Sequence, residues 1–528
     1  MRNKLIVSTL AFLLLLGGRA FAYDAQLLPF KDEQNDYSRE PIYTLSALGI
    51  INGYEDRTYR PNEDLSREAF LKLLVMAVQT DQGARTGKVP SDVATNRWSA
   101  PYISIAYERK WIDSLLDSKG LFHPAQTITR QEVAMLVGRA LLEAESKETQ
   151  EAWLNADWAN ERDSRAFKDR EKIAPALRPY VYYAAYRGIM EGDPAGFKPA
   201  EPLVRKQAAA VVYRLIDKRV AAEKIDFTGY YAISSYTALN RIDTLSNVIF
   251  GWSRLSYEAP GSAWLDVTAT DSKYRVPNGY EEVVAAADKV GASKELMVFY
   301  DGANLKDFLK DAPAQSAFLD SLLAKLGDPS FGFTGVSVDF EGLREADSAS
   351  DYARFLQALK DRLGTLTLSV AVPPVNYYKG YDLTAIGKVA DTVILMAYDF
   401  THDGSKLPSA PLPLVNESVV TALKAIPKEK LVLGISKQAN QWITKDGVAG
   451  RALSPDIAAV ESRLATPGVT KTWAMPYFLT KATYSSELGS NELYYEDTDS
   501  IAKKLWLAKF YGLKGVSLWF MGNYTESD

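Results

Sequence analysis

The chain has 528 residues, is 47% hydrophobic and 24% charged, and carries a net charge of −5; it should hold two to four domains with full-sized cores, and nothing in its charge supports a nucleic-acid binder. With no cysteine and two histidines, His123 and His402, it excludes a disulfide scaffold, a zinc–thiolate site, an iron–sulfur cluster and a cysteine nucleophile, and nearly excludes a histidine-rich metal centre. Carboxylates, tyrosines and tryptophans are left to carry chemistry; the 30 Tyr and 10 Trp suit flat, ring-shaped ligands as well as cores.

Residues 1–22 read as an address. Arg2 and Lys4 precede an apolar run, Leu5 to Leu16, and Ala20-Phe21-Ala22 fits the small-x-small cleavage pattern. The run is shorter than the ~20 residues of a membrane span, so a secretory signal cut before Tyr23, and an exported soluble protein, are expected.

A repeat follows. FKDEQNDYSREPIYTLSALGIINGYEDRTYRPNEDLSREAF (30–70) and FKDREKIAPALRPYVYYAAYRGIMEGDPAGFKPAEPLVRKQAA (167–209, within a third unit at 165–218) share an opening Phe-Lys-Asp, an amphipathic helix, a glycine turn, an aromatic-x-Pro step and an arginine. A weaker copy lies between them. Asp32, Asp92 and Asp169 precede Arg67, Arg130 and Arg205 by 35, 38 and 36 residues. Thr129 with Glu132 has the capping-box spacing, and Val133, Ala134, Leu136, Val137 and Leu141 mark an apolar helical face. Each unit is helix–loop–helix and too small to stand alone, so three should pack together. A charged insert, residues 145–164, should form a solvated helix or loop between the second and third units.

The phrases GIINGYEDRTYRPNEDLSRE and LFHPAQTITRQE resemble the S-layer homology (SLH) domain over residues 28–218, divided as 28–88, 89–145 and 165–218. The resemblance implies an all-α region that binds pyruvylated secondary cell-wall polysaccharide and anchors the chain to a Gram-positive type envelope. A guanidinium pairs bidentately with carboxylates, so it implies polymer contacts at Arg67 with Ser66, Arg130 with Thr129, and Arg205, whose copy has Val204 in place of the hydroxyl. The alternative is that these arginines cap helices and pair with local acids.

Beyond residue 226, strand-like runs alternate with helices. TGYYAIS (228–234), NVIFGWS (247–253), ELMVFYD (295–301), TGVSVDF (334–340), TLSVAVP (367–373), DTVILMAYD (391–399), KLVLGIS (430–436) and GVSLWFM (515–521) are β-branched and apolar, as strands buried on both faces should be. Between them, Phe318, Leu319, Leu322, Leu323 and Leu326 stripe one predicted helix that stops at Gly327. Eight βα units predict an α/β fold of the TIM (β/α)8 barrel type over 227–528, with its active site at the C-terminal strand ends. No glycine-rich phosphate loop follows the first strand, which counts against a doubly wound sheet.

In TGVSVDFE, strand alternation places Gly335, Ser337, Asp339 and Glu341 on one face. Two stacked carboxylates should titrate together, one held protonated near neutral pH. That acid could protonate a glycosidic oxygen; a cation site or a helix cap is the other reading of the same pair.

TGVSVDFE also resembles the family 18 glycoside hydrolase signature DxxDxDxE. GYY at 229–231, MAYD at 396–399, Trp519 and the closing segment 492–519 extend the resemblance over about 227–526. It implies hydrolysis of β-linked N-acetylglucosamine glycans with retention, assisted by the substrate's acetamide, without a metal or cofactor. It further implies Glu341 as general acid then base, Asp339 orienting the acetamide, and Tyr398 bonding its oxygen. Trp519 is the implied floor of the subsite, with Asp399, Met396, Ser337 and Tyr230 lining it. Thr334 and Ser337 replace the first two aspartates, and FYDGAN replaces the family's Ser-x-Gly-Gly; the neutral residue at 337 is similar to the spore-cortex and peptidoglycan N-acetylglucosaminidase branch. The competing functions are a barrel that binds aminosugar glycans without cutting them and a purely structural surface protein.

Overall fold

The computed structural model describes residues 27–79, 87–165, 167–270, 273–374, 378–402 and 405–524. The segment read as an export signal lies outside the described residues. The chain divides into two compact units after Ala222. None of the described helices is long and apolar enough to cross a membrane.

The first unit is built on six helices: α1 (Arg39–Ala47), α2 (Arg67–Val78), α3 (Ala100–Glu108), α4 (Arg130–Glu143), α5 (Arg178–Tyr186) and α6 (Arg205–Ala222). The spaced aspartates hold the turns between them. Asp32 accepts the backbone N–H groups of Tyr59 and Arg60, both at 2.7 Å. Asp92 accepts those of Phe122 and His123 at 3.0 and 2.7 Å, and Asp169 those of Phe197 and Lys198 at 2.7 Å. The second residue of each pair has positive φ, 56°, 56° and 58°, a conformation that costs a non-glycine residue energy; two charge-assisted bonds from one carboxylate offset it. A Cβ on Gly53 would lie 2.4 Å from the Phe30 ring, and one on Gly192 2.8 Å from Phe167. The glycine and the opening phenylalanine therefore belong together, and the middle copy, which opens Pro90-Ser91-Asp92, lacks the phenylalanine.

The three repeats close into a ring. Bridges join Ser66 to Thr127, Thr129 to Pro202 and Asp64 to Val204. The first N–H groups of α2, α4 and α6, from Arg67, Arg130 and Arg205, bond the carbonyls of Gln126, Glu201 and Glu63, each at 2.9 Å. A helix leaves its first four amides without internal partners; here the next repeat supplies one, so no repeat is complete alone. Glu132 reaches back to the Thr129 N–H at 2.9 Å, as the capping-box spacing predicts. The insert is helical, and one side docks: Trp153 is buried and donates from its indole to the Pro179 carbonyl at 2.9 Å.

The second unit has strands β1 (Asp226–Tyr231), β2 (Asn247–Ala259), β3 (Ser262–Asp266), β4 (Ser293–Tyr300), β5 (Gly335–Phe340), β6 (Thr367–Val372) and β7 (Thr392–Leu395). These are followed by β8 (Leu431–Ser436), β9 (Asn440–Lys445), β10 (Val448–Ala449), β11 (Thr470–Ala474), β12 (Leu479–Ser486), β13 (Gly489–Tyr495) and β14 (Gly515–Trp519). Eight parallel strands pair in the order β1-β2-β4-β5-β6-β7-β8-β14, and β14 pairs back to β1. This is the predicted closed (β/α)8 barrel, and all eight predicted runs supply its strands. The helix Ala312–Leu326 buries Phe318, Leu319, Leu322 and Leu326, the predicted stripe apart from Leu323, and Gly327 caps it.

Two features were not read from the sequence. β2 runs past the barrel and turns through Pro260-Gly261 into antiparallel β3. Between β8 and β14 lies a five-stranded antiparallel sheet, β10-β9-β13-β12-β11, with Ala439, Val460, Ala482, Leu493 and Tyr495 forming its own small core.

Candidate active site

β5 places the acids. Its six residues are all buried, with Ser337 opposite Met297 and Asp339 opposite Phe299 on β4. The Glu341 N–H donates to the Tyr300 carbonyl at 2.8 Å, which carries the register one residue beyond the strand and sets Glu341 beside Asp301. Asp339 is 2% exposed. Burial first, and the Glu341 charge second, push its carboxyl well above the usual carboxylate range. Glu341 is also raised, by burial and then by the charges on Asp301 and Asp399. Asp339 Oδ1 is buried and has no hydrogen-bond partner among the described residues.

Tyrosines enclose this pair. Tyr230 on β1 is buried, with Ser337 Oγ beside its hydroxyl. Tyr398 follows β7; burial, then the charges on Asp339, Tyr230 and Glu341, keep its hydroxyl far above the usual range, so it stays a proton donor. Gly434 on β8 leaves room for it: a Cβ there would lie 2.9 Å from the Leu395 carbonyl and 3.3 Å from the Tyr398 ring. Burial and the same two acids also raise Tyr381, whose hydroxyl donates to the Phe340 carbonyl at 2.6 Å. That bond fixes the backbone between the two acids.

Trp519, at the end of β14, stands edge-on to Tyr230 with ring centres 5.1 Å apart; its bond to Phe520 is cis. Met396, half-buried, lies two residues before Tyr398. Asp399 is exposed with φ 63°. Its N–H donates to Ser409 Oγ at 2.9 Å and its carboxylate accepts from Gln438 at 3.2 Å, so residues after β7 and β8 hold it where its charge acts on Glu341. The structure thus gathers Tyr230, Ser337, Asp339, Glu341, Tyr398, Asp399 and Trp519 at one barrel mouth. Asp301 and Tyr381 belong to it and were missed. The strand end FYD was visible, but its register against β5 was not.

The three arginines occupy equivalent places in the ring. Arg67, 7% exposed, donates to the Phe122 carbonyl at 2.7 Å and to Glu132 at 2.5 Å. Arg130 donates to the carbonyls of Phe197 and Glu191 at 3.0 and 3.1 Å. Arg205 donates to those of Tyr59 and Asn52 at 2.9 and 3.3 Å. Each guanidinium lies over the aromatic ring of the turn it bonds. Arg130 and Arg205 remain half-buried, as do Ser66 and Thr129. Among the described residues, no group of three or more His, Cys, Asp or Glu could hold a metal ion.

A closed barrel with paired acids at the C-terminal end of one strand is the framework of a carbohydrate-active enzyme. Residues 226–523 match the model for glycosyl hydrolases family 18, and residues 29–71, 91–134 and 166–209 match the S-layer homology domain. The chain belongs to glycosyl hydrolases family 18 and carries three S-layer homology domains. It is 31% identical over 209 residues to the cortical fragment-lytic enzyme of Bacillus subtilis, covering 36% of this chain and 47% of that protein. It is 24% identical over 307 residues to the uncharacterized glycosylase YvbX of the same organism, covering 56% and 86%. The crystal structure of the Bacillus cereus spore cortex-lytic enzyme SleL superposes with a TM-score of 0.47 at 22% identity, over 57% of this chain and 72% of that one. The chain spans about half the length of the first curated relatives it matches.

Proposed function

We propose that this protein is an exported, wall-anchored glycosidase that cleaves β-linked N-acetylglucosamine glycans, of peptidoglycan or chitin type, with retention. The observation that carries the reading is the pairing of an unmet buried acceptor, Asp339 Oδ1, with a hydroxyl held protonated, Tyr398. An acetamide has the matching groups: its N–H meets Asp339 and its carbonyl oxygen meets the Tyr398 hydroxyl. So held, that oxygen attacks the sugar C1 while protonated Glu341 gives its proton to the leaving oxygen. The resulting oxazolinium is positive; the carboxylate left on Glu341 balances its charge, while Asp339 Oδ1 accepts the oxazolinium N–H. Water then opens the ring, and the Glu341 carboxylate takes its proton. The family's exception to the two-carboxylate scheme is this use of the substrate as nucleophile. The name of the Bacillus subtilis cortical fragment-lytic enzyme supports a wall glycan as substrate.

The repeats place the enzyme. Arg67 is taken up by the ring itself, so contact with a pyruvylated wall polysaccharide rests on half-buried Arg130, with Thr129, and on Arg205. A secretory signal at 1–22 and a Gram-positive type wall complete the reading.

Mass spectrometry of products from chitotetraose and from de-peptidised peptidoglycan tests it. New N-acetylglucosamine reducing ends are expected from at least one; binding without cleavage of either would make the barrel a glycan-binding module instead. A pH prediction follows from Asp301. Its charge helps hold the Glu341 proton, and the acid form is the one that starts the reaction. Asp301→Asn lowers the Glu341 pKa, so the alkaline limb of the kcat/KM profile should move to lower pH, read from rates on a chromogenic chitobioside.

A further inference from the structure

We infer that the insert and helix α5 form a second saccharide site, for an uncharged pyranose chain, in the first unit. Its cavity of about 630 Å³ is floored by Trp153 and Tyr186 and edged by Glu145, Arg187, Asp157 and Asn160. The volume lies in the range of small-molecule sites, and an aromatic floor with a few polar groups is their usual lining.

The aromatic floor is not required by the repeat. Gly49, Lys110 and Gly188 hold equivalent turns, with φ of 69°, 56° and 67°. Two residues before each stand Ala47, Glu108 and Tyr186; five residues before stand Thr44, Ile105 and Tyr183. Only the third copy puts tyrosines at both places. The insert is likewise extra: 25 residues separate α4 from Asp169, against 13 between α2 and Asp92. The two additions meet. Trp153 packs edge-on to Tyr183 at 4.8 Å and at 5.3 Å from Tyr186, a residue 57% exposed. Trp153–Asp157 is a π-helical turn, a distortion that often marks functional sites and that here runs from the buried indole to exposed Asp157.

The charges select the ligand class. Arg187 is the one cationic residue lining the cavity. It is already paired with Glu145 and also donates to the Tyr183 hydroxyl at 3.1 Å. Glu161 is likewise paired with Arg165, which leaves Asp157 in excess, so an anionic polymer meets net repulsion. Sugar hydroxyls donate to carboxylates and bond amides in either direction, while the C–H face of a pyranose rests on the tyrosine. This site is independent of hydrolysis in the barrel.

The test uses the full chain carrying Glu341→Gln, titrated calorimetrically with chitotetraose and with cellotetraose. Cellotetraose has no acetamide, and its binding should depend on Tyr186: at least tenfold weaker in Tyr186→Ala, recovered in Tyr186→Trp, unchanged in Trp519→Ala. Chitotetraose should occupy two sites, one lost with each alanine substitution. If the barrel binds no glycan, the Trp519-dependent site is absent while the Tyr186-dependent one persists, which separates failure of the proposed function from failure of this inference. Equal binding by Tyr186→Ala and its parent overturns the inference, as does Tyr186-dependent retention of a pyruvylated saccharide or a basic peptide in place of both neutral probes. Circular dichroism checks that each variant is folded.

Discussion

Glu341→Gln should lower glycan cleavage by about 10²–10⁴-fold, the span general acid–base catalysis contributes, while binding of chitotetraose persists. Glutamine keeps the size of the side chain and its backbone bond to Tyr300 but carries no transferable proton. On the proposed mechanism the neighbouring Asp339 does not replace it, because it is buried on β5 and serves the acetamide rather than the leaving oxygen. The loss should fall on kcat with little change in KM, since the missing interaction belongs to the transition state. Rates and affinities on the same oligosaccharide check this; a variant within tenfold of the parent would take the proton-donor role away from Glu341.

The second large effect concerns the ring of repeats. Arg67→Ala should destabilise the first unit by about 3–5 kcal/mol, because it strands Glu132, a buried carboxylate whose side chain is 9% exposed. That is a large share of the ~5–15 kcal/mol that holds a domain folded. Arg130 and Arg205 bond only carbonyls through their side chains, so Arg130→Ala and Arg205→Ala should cost less. Arg67→Lys should recover only part, since lysine lacks the planar fork whose two nitrogens reach the Phe122 carbonyl and Glu132 separately. Urea unfolding followed by circular dichroism measures this, with glycosidase activity reporting the barrel separately. Equal losses from all three alanine variants would mean that the buried pair carries no special weight.

The barrel was legible because its strands are buried on both faces, so most read as apolar runs such as VIL in β7 or LVLGI in β8. The inserted sheet was not. Its β11 and β12, TKTWA and LTKATYSS, are partly exposed and polar, which blurs the period-2 signal. One sign was available: Asp446-Gly447, with φ of 50° and 79°, is a hairpin dipeptide. Within the site, alternation along one strand sufficed to put Ser337, Asp339 and Glu341 together. Asp301 required knowing that Tyr300 stands opposite Phe340, a register that local pattern does not encode. The arginines show the same limit. Their common phase in the repeat was readable, but not that each helix start bonds the turn of the next repeat, which exists only once three copies close.

On the proposed mechanism the substrate's acetamide, held between Asp339 and Tyr398, is the nucleophile. Proton NMR of the first product formed from chitotetraose tests it most directly. Retention predicts the β-anomer at the new reducing end before mutarotation, and no turnover of the same oligomer lacking its N-acetyl groups. An initial α-anomer, or comparable cleavage of the de-acetylated chain, would contradict it.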